Sequence, residues 1–331
     1  MKRTLMSILL LFTLILQILA GPNSNLKFNG KGEFKIVQFT DTHINLKNAS
    51  NLEVFTTIKE VISIEKPDMI ILTGDIITED DPQQAYRNLA QIFEDAHTPW
   101  AVVFGNHDSE HNFSRKQLAD FLFSLPMCLN NDIRTIQGNS NFILPVIGKD
   151  KKPATLLYCM DSNSYSTLKP AVEGYGWLNF SQVEWYRNSS AVYTQANNGK
   201  PLPSLAFFHI PLQEYTLGWN NKSSKAFGVR NEDESSQALN TGMFAAMVLG
   251  GDVMGTFVGH DHINDYIAVY QNIALAYGRV TKKMKDADDP IAGGRVILMK
   301  EGKRQFDTWI RETGGKKVLE CAFPDSFILK K

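Results

Sequence analysis

"DMIILTG" at residues 68–74 is the stretch whose reading decides the fold. Five residues, Met69–Thr73, run without a charge, and a glycine and then Asp75 follow. A strand with one wet face alternates apolar and polar residues, whereas a continuous apolar run belongs to a strand covered on both sides. "EFKIVQFT" (33–40) lies upstream and "PWAVVFG" (99–105) downstream, both rich in β-branched and aromatic residues. Helical apolar spacing fills the intervals at 52–65, ending before Pro67, and at 83–96. This βαβαβ alternation predicts a mainly parallel, covered sheet. Further along, the pattern predicts a helix over 114–125, strands at "NFILPVI" and "ATLLYCM", and a helix starting near Ser181 with Glu184 at capping-box spacing. "SLAFFHI" (204–210) reads as another buried strand, 237–249 as a helix, and short strands dominate from 254 onward. No internal repeat or linker interrupts the chain, so one α/β domain with two packed sheets is the simplest architecture.

The 331 residues are 43% hydrophobic, enough for a large core, and the net charge of −1 gives no basic field for nucleic acid. Lys2 and Arg3 precede the apolar run "TLMSILLLFTLILQILAG", which reads as a secretory signal peptide over 1–20. An uncleaved anchor is the alternative. The run is short for a span and carries Thr13 and Gln17, which favours cleavage near Ala20, export to the periplasm or the medium, and a mature chain of 21–331 with its core at about 33–300. The three cysteines, Cys128, Cys159 and Cys321, are too few and too scattered for a Cys-rich zinc site or a disulfide framework. Cys159, inside "TLLYCM", reads as a buried strand residue.

The chemistry gathers where the strands stop. The first strand ends in "TDTH" (Asp41, His43), the second in Asp75, the third in "GNHD" (Asn106, His107, Asp108). Strand 204–208 runs into His209, and the strand at 254–258 ends in "GHDH" (His260, His262). In an extended segment, i and i+2 side chains share a face, so His260 and His262 are expected to reach one point. Each motif alone is weak: a lone "GD" is usually a turn, and a lone buried His209 a satisfied core histidine. Five such ends in one sheet system, where parallel sheets bind their ligands, converge on one site. His97 and His111 lack this context and read as surface or loop residues. Oxygen and imidazole donors suit iron, manganese or zinc, and a two-metal centre needs a carboxylate bridging ions about 3.5–4 Å apart. No H-E-x-x-H metallopeptidase motif or P-loop is present.

The series D-x-H, G-D, G-N-H-D, H, G-H-x-H resembles the calcineurin-like metallophosphoesterase superfamily. "GYGWLNFSQVEWY", "FFHIPLQEY" and "GHDHINDY" are similar to its exported, purple-acid-phosphatase-like branch. The resemblance implies a four-layer α/β/β/α sandwich of the metallophosphoesterase type. It implies one metal held by Asp41, His43, Asp75 and His262 and a second by Asp75, Asn106, His209 and His260. His107 would face the substrate phosphate and assist the leaving oxygen, and Asp108 would orient the loop. The implied reaction is hydrolysis of a small-molecule phosphate ester by attack of a metal-bound hydroxide, by a phosphatase or, on the same site, a phosphodiesterase. An exported binding protein without turnover is the minor alternative. One departure stands out: Thr78 occupies the position of the tyrosine that colours purple acid phosphatases, so no tyrosinate–ferric pair is expected. Specificity is expected from loops 109–140 and 212–236. Tyr215 and Trp219 would either stack on a substrate ring or pack their own loop.

Overall fold

The computed structural model describes residues 26–48, 52–110, 112–133, 135–285 and 290–329. Residues 1–20, read above as a signal peptide, and His111 lie outside them. The strands are β1 (Glu33–Phe39), β2 (Met69–Thr73), β3 (Trp100–Val103), β4 (Phe142–Ile147), β5 (Pro153–Cys159), β6 (Ser204–Phe207) and β7 (Val253–Val258), followed by β8 (Ile267–Tyr270), β9 (Ile273–Tyr277), β10 (Gly293–Lys300), β11 (Phe306–Glu312) and β12 (Lys317–Phe323). The helices are α1 (Glu53–Glu65), α2 (Gln83–Asp95), α3 (Arg115–Leu122), α4 (Phe180–Ala196), α5 (Glu214–Trp219) and α6 (Met243–Gly250).

Two six-stranded sheets form, in the orders β12-β11-β10-β1-β2-β3 and β4-β5-β6-β7-β9-β8. In the first, β1–β2 and β2–β3 pair in parallel, and β10 joins β1 antiparallel. In the second, β5–β6, β6–β7 and β7–β9 are parallel. All five residues of β2 are buried, and their alternation explains why the run is continuous. Met69 and Ile71 point between the sheets, with Phe34, Ala101, Leu205 and Phe257. Ile70 and Leu72 point outward under Ile58, Leu89 and Leu118 of the first sheet's helices. The second sheet repeats this logic. Phe207 faces the inter-sheet core, while Ala206 and Phe208 pack under Trp185, Tyr215 and Met247. Three apolar interfaces separate four layers, and the sandwich is α/β/β/α. Burying each large aliphatic side chain contributes about 1.5–3 kcal/mol.

Two helix starts differ from expectation. α4 starts at Phe180 and is capped two residues earlier than Ser181, because Asn179 takes the extended cap conformation and Gln182 Oε1 accepts from its N–H at 2.8 Å. The helix expected from 237 begins at Met243. Gln237 is held by its side chain instead, accepting from Leu178 N–H and donating to the Ile210 carbonyl. Gly242, at φ +85°, then turns the chain into the helix. Local side-chain bonds have displaced the helical pattern there.

Candidate metal centre

The carboxyl ends of β1, β2 and β3 meet those of β6 and β7 across the sandwich. Gln38 of β1 donates to the Val258 carbonyl of β7, tying the sheets at this edge (2.9 Å). The exits of β1 and β2 travel together, with His43 N–H bonded to the Asp75 carbonyl and Ile44 N–H to that of Ile76. Asp41, His43, Asp75 and His260 all adopt left-handed backbone, at φ +53°, +43°, +54° and +81°. Non-glycine residues hold this region only at a cost of about 1–3 kcal/mol each, so packing must enforce it, and such strain concentrates at functional sites. Two glycines make the crowding possible. A Cβ at Gly105 would overlap the Asp75 carboxylate, and one at Gly259 would overlap Thr40 Oγ1 and the Asp41 carboxylate.

Two groups of side chains converge: Asp41, His43 and His262, and beside them Asp75, His209 and His260. In the first, His262 Nε2 lies 3.3 Å from Asp41 Oδ1 and 3.1 Å from His43 Nε2. In the second, His209 Nε2 lies 3.2 Å from Asp75 Oδ2 and 3.2 Å from His260 Nδ1. Metal–nitrogen bonds of about 2.0–2.1 Å place neighbouring ligand atoms roughly 3–3.4 Å apart, so these spacings fit a shared ion. Asp75 Oδ2 is also 3.9 Å from His43 Nε2, so one oxygen faces both groups. His260 and His262 therefore do not reach one point. The turn at His260 sends them to adjacent groups, and Asp261 turns away to accept from Tyr277 Oη (2.6 Å) and Ser235 N–H.

Each donor is fixed from behind. Asp41 Oδ2 accepts from Thr40 Oγ1 (2.7 Å) and His260 N–H (3.0 Å), leaving the buried Oδ1 without a hydrogen bond and aimed at the site. Asp75 Oδ1 accepts from His107 N–H (2.8 Å), which frees Oδ2. His209 Nδ1 meets the Thr73 carbonyl at 2.7 Å; a carbonyl only accepts, so Nδ1 carries a proton and Nε2 is the atom that faces the site. Asn106 is 2% exposed, and its Oδ1 has no hydrogen-bond partner among the described residues. Orphaned buried oxygens beside clustered imidazoles are what a cation site leaves when only protein atoms are counted. The donor set thus fits two ions.

The electrostatics agree. Burial opposes charge on Asp75, yet the charge and hydrogen bond of His209 outweigh it and hold the carboxyl well below the usual range. Asp41 behaves likewise, burial being outweighed first by the nearby His262 imidazole and then by the charge of His209. Burial would lower His209, but Asp75 lifts it to about 9. His43 falls to about 3 through burial and then the charge of Lys282, and His260 to about 3 through burial and then His209.

His107 lies at the rim with Nε2 4.0 Å from Asp75 Oδ2. Asp108 turns inward and accepts the N–H groups of Asp75, Ile76 and Gly105, each at 2.8 Å, bracing the bend that carries Asp75. Burial and then the Asp75 charge raise its pKa. Thr78 Oγ1 donates to the His43 carbonyl (3.2 Å), a backbone role. Tyr215 is fully buried with Oη bonded to Thr256, and half-buried Trp219 packs on Tyr266 with ring centroids 4.9 Å apart, so both belong to the outer core. His97 is exposed after α2.

Sequence reasoning missed three neighbours. Glu110 bonds His107, Tyr165 bonds Glu110, and the Tyr175 and His260 rings make a T-shaped contact with centroids 4.3 Å apart. Glu110 was visible as a carboxylate three residues after His107. The tyrosines sit in a loop without periodicity.

The family model for calcineurin-like phosphoesterases matches residues 34–264. The chain is 34% identical over 286 residues to "Probable inactive purple acid phosphatase 29" of Arabidopsis thaliana, covering 76% of this chain and 73% of the relative. It is 30% identical to "Phosphatase DCR2" of Saccharomyces cerevisiae over 75% of this chain and 48% of that one. A solved dimetal phosphatase from Danio rerio shares the fold, with a TM-score of 0.58 at 13% identity over 87% of this chain and 98% of that one.

Proposed function

Because the chain belongs to the calcineurin-like phosphoesterase family, we propose that it is an exported dinuclear-metal phosphatase of small phosphate esters, built as a single domain over 21–331. The observation that carries the reading is Asp75 Oδ2, which faces His209 Nε2 at 3.2 Å and His43 Nε2 at 3.9 Å and so stands between two ligand groups. Asp41, His43, Asp75 and His262 would hold one ion; Asp75, Asn106, His209 and His260 would hold the other. Iron, manganese and zinc all suit these donors. Bound there, the ions supply a nucleophile from water at neutral pH and draw charge from the phosphoryl oxygens. His107, exposed at the rim beside Asp75, meets the phosphate and gives a proton to the leaving oxygen. Asp108 keeps Asp75 in place.

The Arabidopsis relative is named probable inactive. In this chain no ligand position is lost, which supports turnover. Metal analysis followed by a panel of phosphate mono- and diesters tests the reading. Two ions per chain and hydrolysis of monoesters are expected; two ions without turnover of any ester would leave a binding protein and end the enzymatic reading. Preference for diesters would reassign the substrate class.

Export rests on the leader-like residues 1–20. Among the described residues, no helix is long and apolar enough to cross a membrane. N-terminal sequencing should find a start near Gly21, and retention of Met1 would refute cleavage.

A further inference from the structure

The metal-ligand reading leaves a question at Asn106. Its amide has one oxygen to offer an ion and one NH2 that must be turned away, and the two ends are nearly the same shape. The Asn106 Nδ2 lies 3.3 Å from Tyr165 Oη. Tyr165 Oη lies 2.6 Å from Glu110 Oε1. The other Glu110 oxygen, Oε2, lies 2.5 Å from His107 Nδ1. Glu110 is the fixed point of this chain, because an ionised carboxylate only accepts. Partial burial favours its neutral form, and the bonds from His107 and Tyr165 more than offset that and lower its pKa.

Direction then propagates by donor and acceptor count alone. Tyr165 must give its single proton to Glu110, so its oxygen can only accept from Asn106. Asn106 must therefore present NH2 to Tyr165 and Oδ1 to the ligand group, where Oδ1 is buried without a hydrogen bond. On the other side, His107 must keep a proton on Nδ1, so Nε2 is the atom turned toward Asp75. The tyrosine's loop is anchored to the same residue a second time, through Ser164 Oγ donating to the Asn106 carbonyl (3.1 Å).

We propose that Glu110 is a positioning residue that sets two neighbours at once: through Tyr165 it aims Asn106 Oδ1 at the second ion, and directly it aims His107 Nε2 at the phosphate. This rests on the ligand and phosphoesterase roles given above. Glu110→Gln is the informative change. Glutamine offers one accepting and one donating end, whereas the site needs two acceptors, so either the tyrosine or the histidine arm must reverse. Tyr165→Phe cuts the Asn106 arm alone.

The test is titration of metal-free wild type, Glu110→Gln and Tyr165→Phe with zinc and with manganese against a competing chelator. Alkyl and aryl phosphate kcat values are then measured at saturating metal. Tyr165→Phe should weaken one of the two ions about 10–100-fold, the usual effect of losing a ligand's outer partner, and leave the other unchanged; Glu110→Gln should do the same if its NH2 end faces Tyr165. If its NH2 end faces His107 instead, Glu110→Gln should depress the alkyl ester more than the aryl ester, which needs less protonation; Tyr165→Phe should leave that ratio alone. Glu110 and Tyr165 side chains lie at the rim, 40% and 37% exposed, so metal-free melting temperatures should match wild type. Two ions bound with wild-type affinity by both variants would overturn the proposal. So would a Glu110→Gln variant with wild-type affinity for both ions and a wild-type ester ratio, which would place the origin of the orientation elsewhere. Metal-loaded wild type without turnover would sink the phosphoesterase reading but leave the titration result standing.

Discussion

Metal binding at the Asp75 group must compete with a proton, and the structure sets how strongly. His209 is fully buried, which alone would drive its proton off, but the Asp75 carboxylate 3.2 Å away lifts its pKa to about 9. His260, in the same group, stays near 3, since burial and then the His209 charge oppose a second proton. Between those values the metal-free group holds one proton, and an ion must expel it. The perturbation is pH. Affinity for this ion should rise about tenfold per unit up to pH 9, and at pH 7 it should stand about 100-fold below its plateau. The same proton acts oppositely on the fold. A raised histidine pKa contributes stability that is complete below the unfolded value of 6.5 and is lost as pH rises through about 9. The shift corresponds to about 3 kcal/mol. Metal-stripped protein should therefore melt at a lower temperature at pH 9 than at pH 6.5, while metal binding tightens over the same interval. Chelator competition across that range, with calorimetry in two buffers of different ionisation enthalpy, measures both slope and proton release. Affinity independent of pH, or uptake with no proton released, would refute the placement of a proton between Asp75 and His209.

Three further outcomes follow from the same geometry. Asp75→Ala removes the oxygen shared by the two groups and should lose metal and activity together, whereas His107→Ala should retain both ions and lose roughly 10²–10⁴-fold in kcat, with a smaller loss on a nitrophenyl ester; metal loss in His107→Ala would make His107 a ligand. Gly259→Ala places a methyl against Thr40 Oγ1 and the Asp41 carboxylate, and should cost about 1–3 kcal/mol in melting experiments and lower metal content; a variant that melts and binds metal like wild type would show that the turn has room to spare. Iron-loaded protein should lack an intense tyrosinate band near neutral pH, because Thr78 replaces the usual tyrosine and burial, then the Glu110 bond, push Tyr165 up to about 12; a purple preparation would put a tyrosine on the metal.

What could be read in advance follows from which forces are local. β2 was legible because both of its faces are covered, so its pattern needs no knowledge of its partners: Met69 and Ile71 go to one core, Ile70 and Leu72 to the other. The convergence of the candidate ligands was legible for a related reason. Strand ends are fixed by the sheet, so a polar residue directly after an apolar run is already placed in space. The short helix α6 was misjudged because the apolar spacing continued upstream while the Gln237 amide took up the Leu178 N–H and the Ile210 carbonyl, partners 59 and 27 residues away. The Tyr165 contacts were hidden by the same distance: Oη reaches Glu110 across 55 residues and Asn106 across 59, from a loop with no period. Such contacts are set by the fold after the strands are in place. The candidate ligands sit where secondary structure puts them, while the residues that contact them from behind come from any loop that passes. The Asn106 amide is where the two meet: β3 delivers the side chain, and only Tyr165 and Glu110, arriving from elsewhere, give a physical reason for its oxygen to face inward.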